Sequence, residues 1–329
     1  MDTVDLSGLE HCEAPVCVAS QPGLSAGLLA GPLAALHDEA GAHVPGDLPP
    51  IVDAHVHLFP DPLFRAIWTW FEQYGWPIRY RLYAREVLEF LFARGVEQVV
   101  GLHYAHKPGI ARSLNRFMAE LAGEEPRLCG LATVMPGEPE AGAILDEAFA
   151  LGLRGVKLHC HVQCFAPDED VLGEIYDACA RADRPLVIHA GREPKSPAYK
   201  CDPHALCGVE RIEAVLRNWP TLRVCVPHFG ADEFAGYAAL LERYDNLWLD
   251  STMMLADYFP ATPPRELLLR RPNRVLYGSD FPNLPYAWDR ELRLLRDHAL
   301  GEQALEWICG GTARGLFGLD VPADRYGLG

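Results

Sequence analysis

From residue 51 onward, short apolar runs alternate with amphipathic stretches. The runs are IVDAHVH (51–57), EQVVGLHY (97–104), LCGLATV (128–134), RGVKLH (154–159), PLVIHA (185–190), LRVCVPH (222–228), NLWLDS (246–251) and RVLYGSD (274–280). Between them, segments such as EAGAILDEAFALG and EDVLGEIYDACARAD carry apolar residues at three- and four-residue spacing, the period of a helix with one buried face. Strand-like runs that are each followed by a helix predict a parallel α/β sheet with crossovers. Eight is the number that closes such a sheet into a (β/α)8 TIM barrel. An open doubly wound sheet often carries a glycine-rich phosphate turn after its first strand. Here the first strand runs into LFPDPLF, and the barrel is the better reading.

Two segments fall outside the repeat. Residues 1–46 are rich in Gly, Pro and Ala, with one helix expected near SAGLLAGPLAALHDEA and interrupted by Pro32. They read as an N-terminal extension to a barrel spanning residues 47–329. Residues 58–94 form a long first βα connection with an aromatic cluster, FRAIWTWFEQYGWPIRYRLY. Such a connection serves as a lid, as the contact surface of a homodimer, or as a helical hairpin that packs its aromatics inward.

The polar residues collect where a barrel keeps its active site, at the C-terminal ends of the strands. The last residues of the runs include His55, His57, His103, Lys157, His159, His189, His228 and Asp280. Alternation places Asp53, His55 and His57 on one face of the first strand and Val52, Ala54 and Val56 on the other. The valine face suits the helix layer, which leaves the histidines facing into the barrel. In GVKLH the same reasoning turns Lys157 and His159 inward. A single strand-end histidine is usually a satisfied polar residue. Histidines and an aspartate converging from the first, fifth, sixth and eighth strands describe a divalent-metal site, with imidazole and carboxylate suiting zinc first and also manganese or iron(II).

Composition narrows the partners. Lys plus Arg is 29 against 45 for Asp plus Glu, a net charge of −16, which disfavours nucleic acid and anionic membrane surfaces and leaves a small-molecule substrate. No apolar run approaches the roughly 18 residues of a membrane span. The acidic start MDTVDLSGLEHCEAP lacks the basic and apolar parts of a signal peptide, so a cytoplasmic location is the default expectation. The 10 cysteines do not change it: Cys129, Cys179, Cys225 and Cys309 sit singly in apolar segments, and the looser pairs Cys12/Cys17, Cys160/Cys164 and Cys201/Cys207 lack the spacing of a zinc knuckle. Cys201 and Cys207 read as loop packing.

DAHVH on the first strand, VIHAG, PHFG and YGSDFP resemble the amidohydrolase superfamily, and within it the amidohydrolase-2 branch that includes aminocarboxymuconate semialdehyde decarboxylase. The closing GGTARGLFG is similar to that branch's N-A-x-R-L-F segment, with Thr312 where Asn is usual. The resemblance runs from about residue 51 to 318. It implies that His55, His57, His189 and Asp280 bind a first ion. It implies for His228 either a catalytic base or, with His189, a ligand to a second ion. Lys157 stands where two-metal members carry a bridging carboxylated lysine; a plain ammonium that binds a substrate carboxylate or pairs with Asp280 is the other reading.

A divalent ion lowers the pKa of bound water from nearly 16 to roughly 7. With Asp280 taking and returning the proton, such a site would hydrolyse an amide, ester, lactone or thioester. The branch also implies an alternative, non-oxidative decarboxylation of an aromatic or unsaturated acid. Arg192 could clamp an anionic group, or else serve a loop salt bridge with Glu193 or Asp202. His103, His106, His159 and His161 are further candidates for lining the pocket, His159 the best of them. A non-catalytic barrel should have lost a ligand, and none is missing.

Overall fold

The computed structural model describes residues 38–320. The eight expected runs are eight parallel strands: β1 (Val52–His57), β2 (Gln98–Leu102), β3 (Leu128–Gly130), β4 (Val156–His159), β5 (Leu186–His189), β6 (Val224–Val226), β7 (Leu247–Asp250) and β8 (Val275–Leu276). Neighbours in sequence are neighbours in space, in two continuous ladders, β1-β2-β3 and β4-β5-β6-β7-β8. Two seams join the ladders through isolated bridges, Ala132 to Val156 and Val56 to Phe281. Around them Ala132 N–H bonds Gly155 O at 2.8 Å and Lys157 N–H bonds Ala132 O at 2.7 Å, while Ala54 N–H bonds Tyr277 O at 3.0 Å and Asp280 N–H bonds His55 O at 2.9 Å. The fold is the TIM barrel.

Parity holds for most of the barrel. On β4 to β8 the residues Val156, Leu158, Leu186, Ile188, Val224, Val226, Leu247, Leu249 and Val275 pack in the large core shared with the helices. The alternate residues Val187, Cys225, Trp248 and Leu276 form a separate inner cluster with Val100, Leu102, Cys129 and Leu131. Ala313, Leu316 and Phe317, from the C-terminal helix Thr312–Phe317, belong to the same inner cluster and close its end.

On β1 the expected alternation fails. Its register against β2 slips by one residue between Asp53 and Val56. A β-bulge inserts one residue and inverts the faces beyond it. Val52 and Ala54 therefore join the inner cluster while Val56 joins the outer core. Asp53 does not share a face with His55 and His57; its carboxylate accepts from Ser279 Oγ at 2.6 Å and Ser279 N–H at 3.0 Å.

The first connection holds two helices, Asp61–Tyr74 and Ala84–Phe92. Phe64 and Trp68 turn inward, as the hairpin reading expects, whereas Trp70 and Phe71 face the cavity above the strands. One face of the segment thus packs inward as a helical hairpin and another lines the cavity. The helix expected near residues 25–40 lies almost wholly outside the described residues. Of the extension, Asp38 is held by Arg79 Nη1 at 2.7 Å and Ala287 N–H at 2.9 Å. Among the described residues no helix is long and apolar enough to cross a membrane.

The inner cluster leaves no slack beneath the strand ends. Truncating Phe317, which is 3% exposed, to alanine should lower unfolding stability by about 3–5 kcal/mol in denaturant titration. Leu151→Ala, at a side chain 52% exposed, should change it by no more than about 0.5 kcal/mol.

Candidate metal centre

Six of the eight strands deliver side chains to one buried floor. β1 supplies His55 and His57, β4 Lys157 and His159, β5 His189, and β7 Asp250. His228 follows β6 and Asp280 follows β8, and both have left-handed backbone, with φ of 58° and 71°. Non-glycine residues pay for that conformation, and a strand cannot continue through it. β8 accordingly ends after two residues, and Asp280 is turned onto the floor. Gly278 makes the turn possible: a Cβ there would lie 2.5 Å from Thr252 Oγ1 and 2.7 Å from His55 Cβ.

Asp250 organises the first group of ligands. Its carboxylate accepts from His55 Nδ1 at 2.8 Å, from His228 N–H at 2.9 Å and from Thr252 N–H at 3.2 Å. Burial alone would raise its pKa; the His55 side chain and these donors outweigh burial and hold the carboxyl well below its usual range. An ionised carboxylate only accepts, so His55 carries its proton on Nδ1 and presents the Nε2 lone pair. That atom stands 3.3 Å from Asp280 Oδ1. Burial, reinforced by Lys157, pulls the His55 pKa down to about 3, so the ring is neutral.

His57 Nε2 lies 3.0 Å from the same Asp280 oxygen. Burial pushes the Asp280 carboxyl up, but the adjacent rings of His57 and His55 more than offset it and hold it below the ordinary value. His55, His228 and Asp280 bring one ligand atom each to within 4.8 Å of one another, all buried. These residues fit a divalent ion: neutral imidazole nitrogens, one carboxylate oxygen, and a second-layer carboxylate that fixes a tautomer. His57 Nδ1 is buried with no hydrogen-bond partner.

His189 stands differently from expectation. Its Nδ1 is 3.2 Å from His228 Nε2, and it groups with His159 and His161 rather than with His55 and Asp280. Lys157 is fully buried, and its Nζ has no hydrogen-bond partner. Burial lowers its pKa to about 8 despite the opposing pull of Asp250 and Asp280. The buried amine thus feels the charge of both carboxylates.

Two of the expected pocket residues lie elsewhere. His103 is 0% exposed and does not line the cavity; its Nε2 faces Asn115 Oδ1 at 3.3 Å under the helix Ala111–Glu124. Arg192 forms a loop salt bridge, but with residues other than those expected: it is bidentate to Asp232 at 3.0 and 2.7 Å and near Glu233 at 3.3 Å. Asp250, Thr252, Ser279 and Tyr104 were missed. Asp250 was legible, since it follows the inward parity of Trp248 on β7; the others are set by loop paths that strand alternation does not reach.

Above the floor opens a cavity of about 470 Å³. His57, His159, His189, His228 and Asp280 form its base, and Phe59, Trp70, Trp76, Tyr104, Tyr199 and Phe259 stand in its walls. Tyr104 meets His57 and His159 edge-on at 5.8 and 4.9 Å.

Solved structures share the fold at low identity. An uncharacterised TIM-barrel protein from Bordetella bronchiseptica is 20% identical with a TM-score of 0.65, covering 82% of this chain and 99% of its own. A 2,6-dihydroxybenzoate decarboxylase from Rhizobium is 16% identical with a TM-score of 0.61, covering 83% of this chain and 100% of its own. A 5-carboxyvanillate decarboxylase from Novosphingobium aromaticivorans, complexed with manganese and a nitrobenzoic acid, is 18% identical with a TM-score of 0.57, covering 84% of this chain and 99% of its own. No curated protein sequence matches this chain. The amidohydrolase family's own sequence profile matches residues 52–319, from the first strand to the helix that closes the barrel, and the chain belongs to that family, in its amidohydrolase-2 branch.

Proposed function

We propose that this protein is a metal-dependent, non-oxidative decarboxylase of an aromatic or unsaturated carboxylic acid. The observation that carries the reading is the shape of the cavity: aromatic walls stand over a base of imidazoles and one carboxylate. Flat aromatic walls favour a flat conjugated ligand through stacked and edge contacts. The decarboxylases among the solved relatives support the same reading, and the nitrobenzoic acid and manganese held by one of them are of the matching chemical kinds. Hydrolysis, the first expectation from the sequence, takes second place. Its support is Lys157, an inward and unpartnered amine at the position of a bridging lysine.

The ion would be held by His55 Nε2, Asp280 and His57, with His228 Nε2 beside them. It would anchor the acid's carboxylate and lower the pKa of bound water. His55 is kept in the ligating tautomer by Asp250, and the ring of Tyr104 bounds the space above His57. In the reaction the bond from the substrate carbon to its carboxyl group breaks and carbon dioxide leaves. The electron pair stays on that carbon, which takes up one proton. Asp280, an ionised carboxylate on the cavity floor, would take that proton from solvent and then return it to the carbon. The mixed nitrogen and oxygen donors accept manganese as readily as zinc.

The test offers carboxyl-labelled hydroxybenzoates beside lactones, esters and amides to the metal-loaded protein, and follows both labelled carbon dioxide and acid release. Decarboxylation predicts labelled gas in step with substrate loss. Hydrolysis of a lactone, ester or amide with no gas from any acid would overturn it. Asp280→Asn should reduce turnover by about 10²–10⁴-fold, as removal of a general acid does. Asp250→Asn, which touches no substrate, should weaken metal binding by about 10–100-fold in competition titration.

A further inference from the structure

We infer that Asn283 is a specificity-determining residue whose amide binds a neutral hydrogen-bonding substituent of the substrate, such as a hydroxyl. The inference rests on the proposed reading of the substrate as a flat conjugated acid and names a second group which that acid carries. Asn283 lines the cavity and is 2% exposed. Its Oδ1 is buried with no hydrogen-bond partner. A buried amide left unpaired costs free energy, and each such group in a folded protein calls for a reason.

The backbone supplies none. Asparagine is favoured where the chain turns left-handed, but Asn283 is not among the residues with positive φ. Asn283 N–H donates to Asp280 O at 3.0 Å, and Arg79 N–H donates to Leu284 O at 2.9 Å. Trp76 Nε1 donates to Asn283 O at 2.7 Å. On residues 283 and 284 these bonds use main-chain atoms alone, and any residue but proline would supply them at position 283.

The same bonds fix where the amide stands. A turn closed from residue i to residue i+3 keeps its ends within about 7 Å, so Asn283 lies one turn from Asp280 on the floor. An acid held at the floor by its carboxylate presents its ring, with whatever that ring carries, to this wall. Trp76, which anchors Asn283, packs on Phe71 and Phe259 with centroids at 5.0 and 5.7 Å, and all three rings line the cavity. The amide is the polar point of an aromatic corner. An ion buried beside an uncharged amide would lack a partner charge. A hydroxyl both donates and accepts, so it matches either end of the amide. Sites that hydrogen-bond a hydroxyl discriminate against the analogue without it.

The test reads binding rather than turnover. Benzoate and its three monohydroxy isomers are titrated calorimetrically into the metal-loaded protein, as wild type and as Asn283→Leu, a change of similar size that removes the amide. The wild type should hold at least one hydroxy isomer on the order of tenfold more tightly than benzoate, the worth of one neutral hydrogen bond. Asn283→Leu should bring that ratio close to one with benzoate bound at least as well. Its Tm should equal or exceed that of wild type, because the apolar corner loses no internal hydrogen bond. Asn283→Ala, which cannot overfill the corner, should lose the same preference. A preference kept in both variants overturns the inference, as does equal or absent binding of the four acids by the wild type. Carboxyl-labelled gas from the same samples follows the decarboxylase reading separately. Gas without the preference sinks this inference alone, and the preference without gas sinks that reading alone.

Discussion

The carboxylate of Asp250 is the contact on which the centre depends. It sits at the end of β7, 1% exposed, and receives donors from β1, from the turn after β6 and from the backbone two residues further along its own chain. A buried anion is tolerated only when its charge is matched by donors, and three of them meet here. The same bonds set the His55 tautomer, hold the left-handed turn at His228 and fix the start of the loop that carries Thr252. A change at this carboxylate therefore alters ligand direction before it alters ligand identity.

Much of the barrel was legible from periodicity. All eight strands fall inside the eight apolar runs, and the inward turn of Lys157, His159 and His189 follows from strict alternation on β4 and β5. The first strand was misread because a bulge leaves no mark in a simple alternating pattern. His55 and His57 reach the floor, but Asp53 turns to Ser279. Arg192 and His103 were misplaced for a related reason. Their partners, Asp232 and Asn115, are 40 and 12 residues away, and sequence spacing does not reveal which loop passes over which.

Family membership and local chemistry bear on different questions. The profile match spans the barrel, whereas the solved structures named above lie at or below 20% identity and share the fold. Loops that build the cavity walls are where such relatives diverge. In this chain the aromatic first connection and the segment around Tyr199 build those walls. They set what the floor can meet, while the floor sets what can happen to it.

The apolar plug of Ala313, Leu316 and Phe317 has a bearing on traffic. Below the strand-end histidines the barrel interior is filled by side chains that are almost wholly buried, so among the described residues there is no lower passage. Whatever reaches the buried floor arrives through the aromatic mouth and leaves by the same way. In the proposed decarboxylation, carbon dioxide released at the base would lie behind the larger product and would leave after it. The aromatic walls then govern both admission and the rate at which the chamber empties.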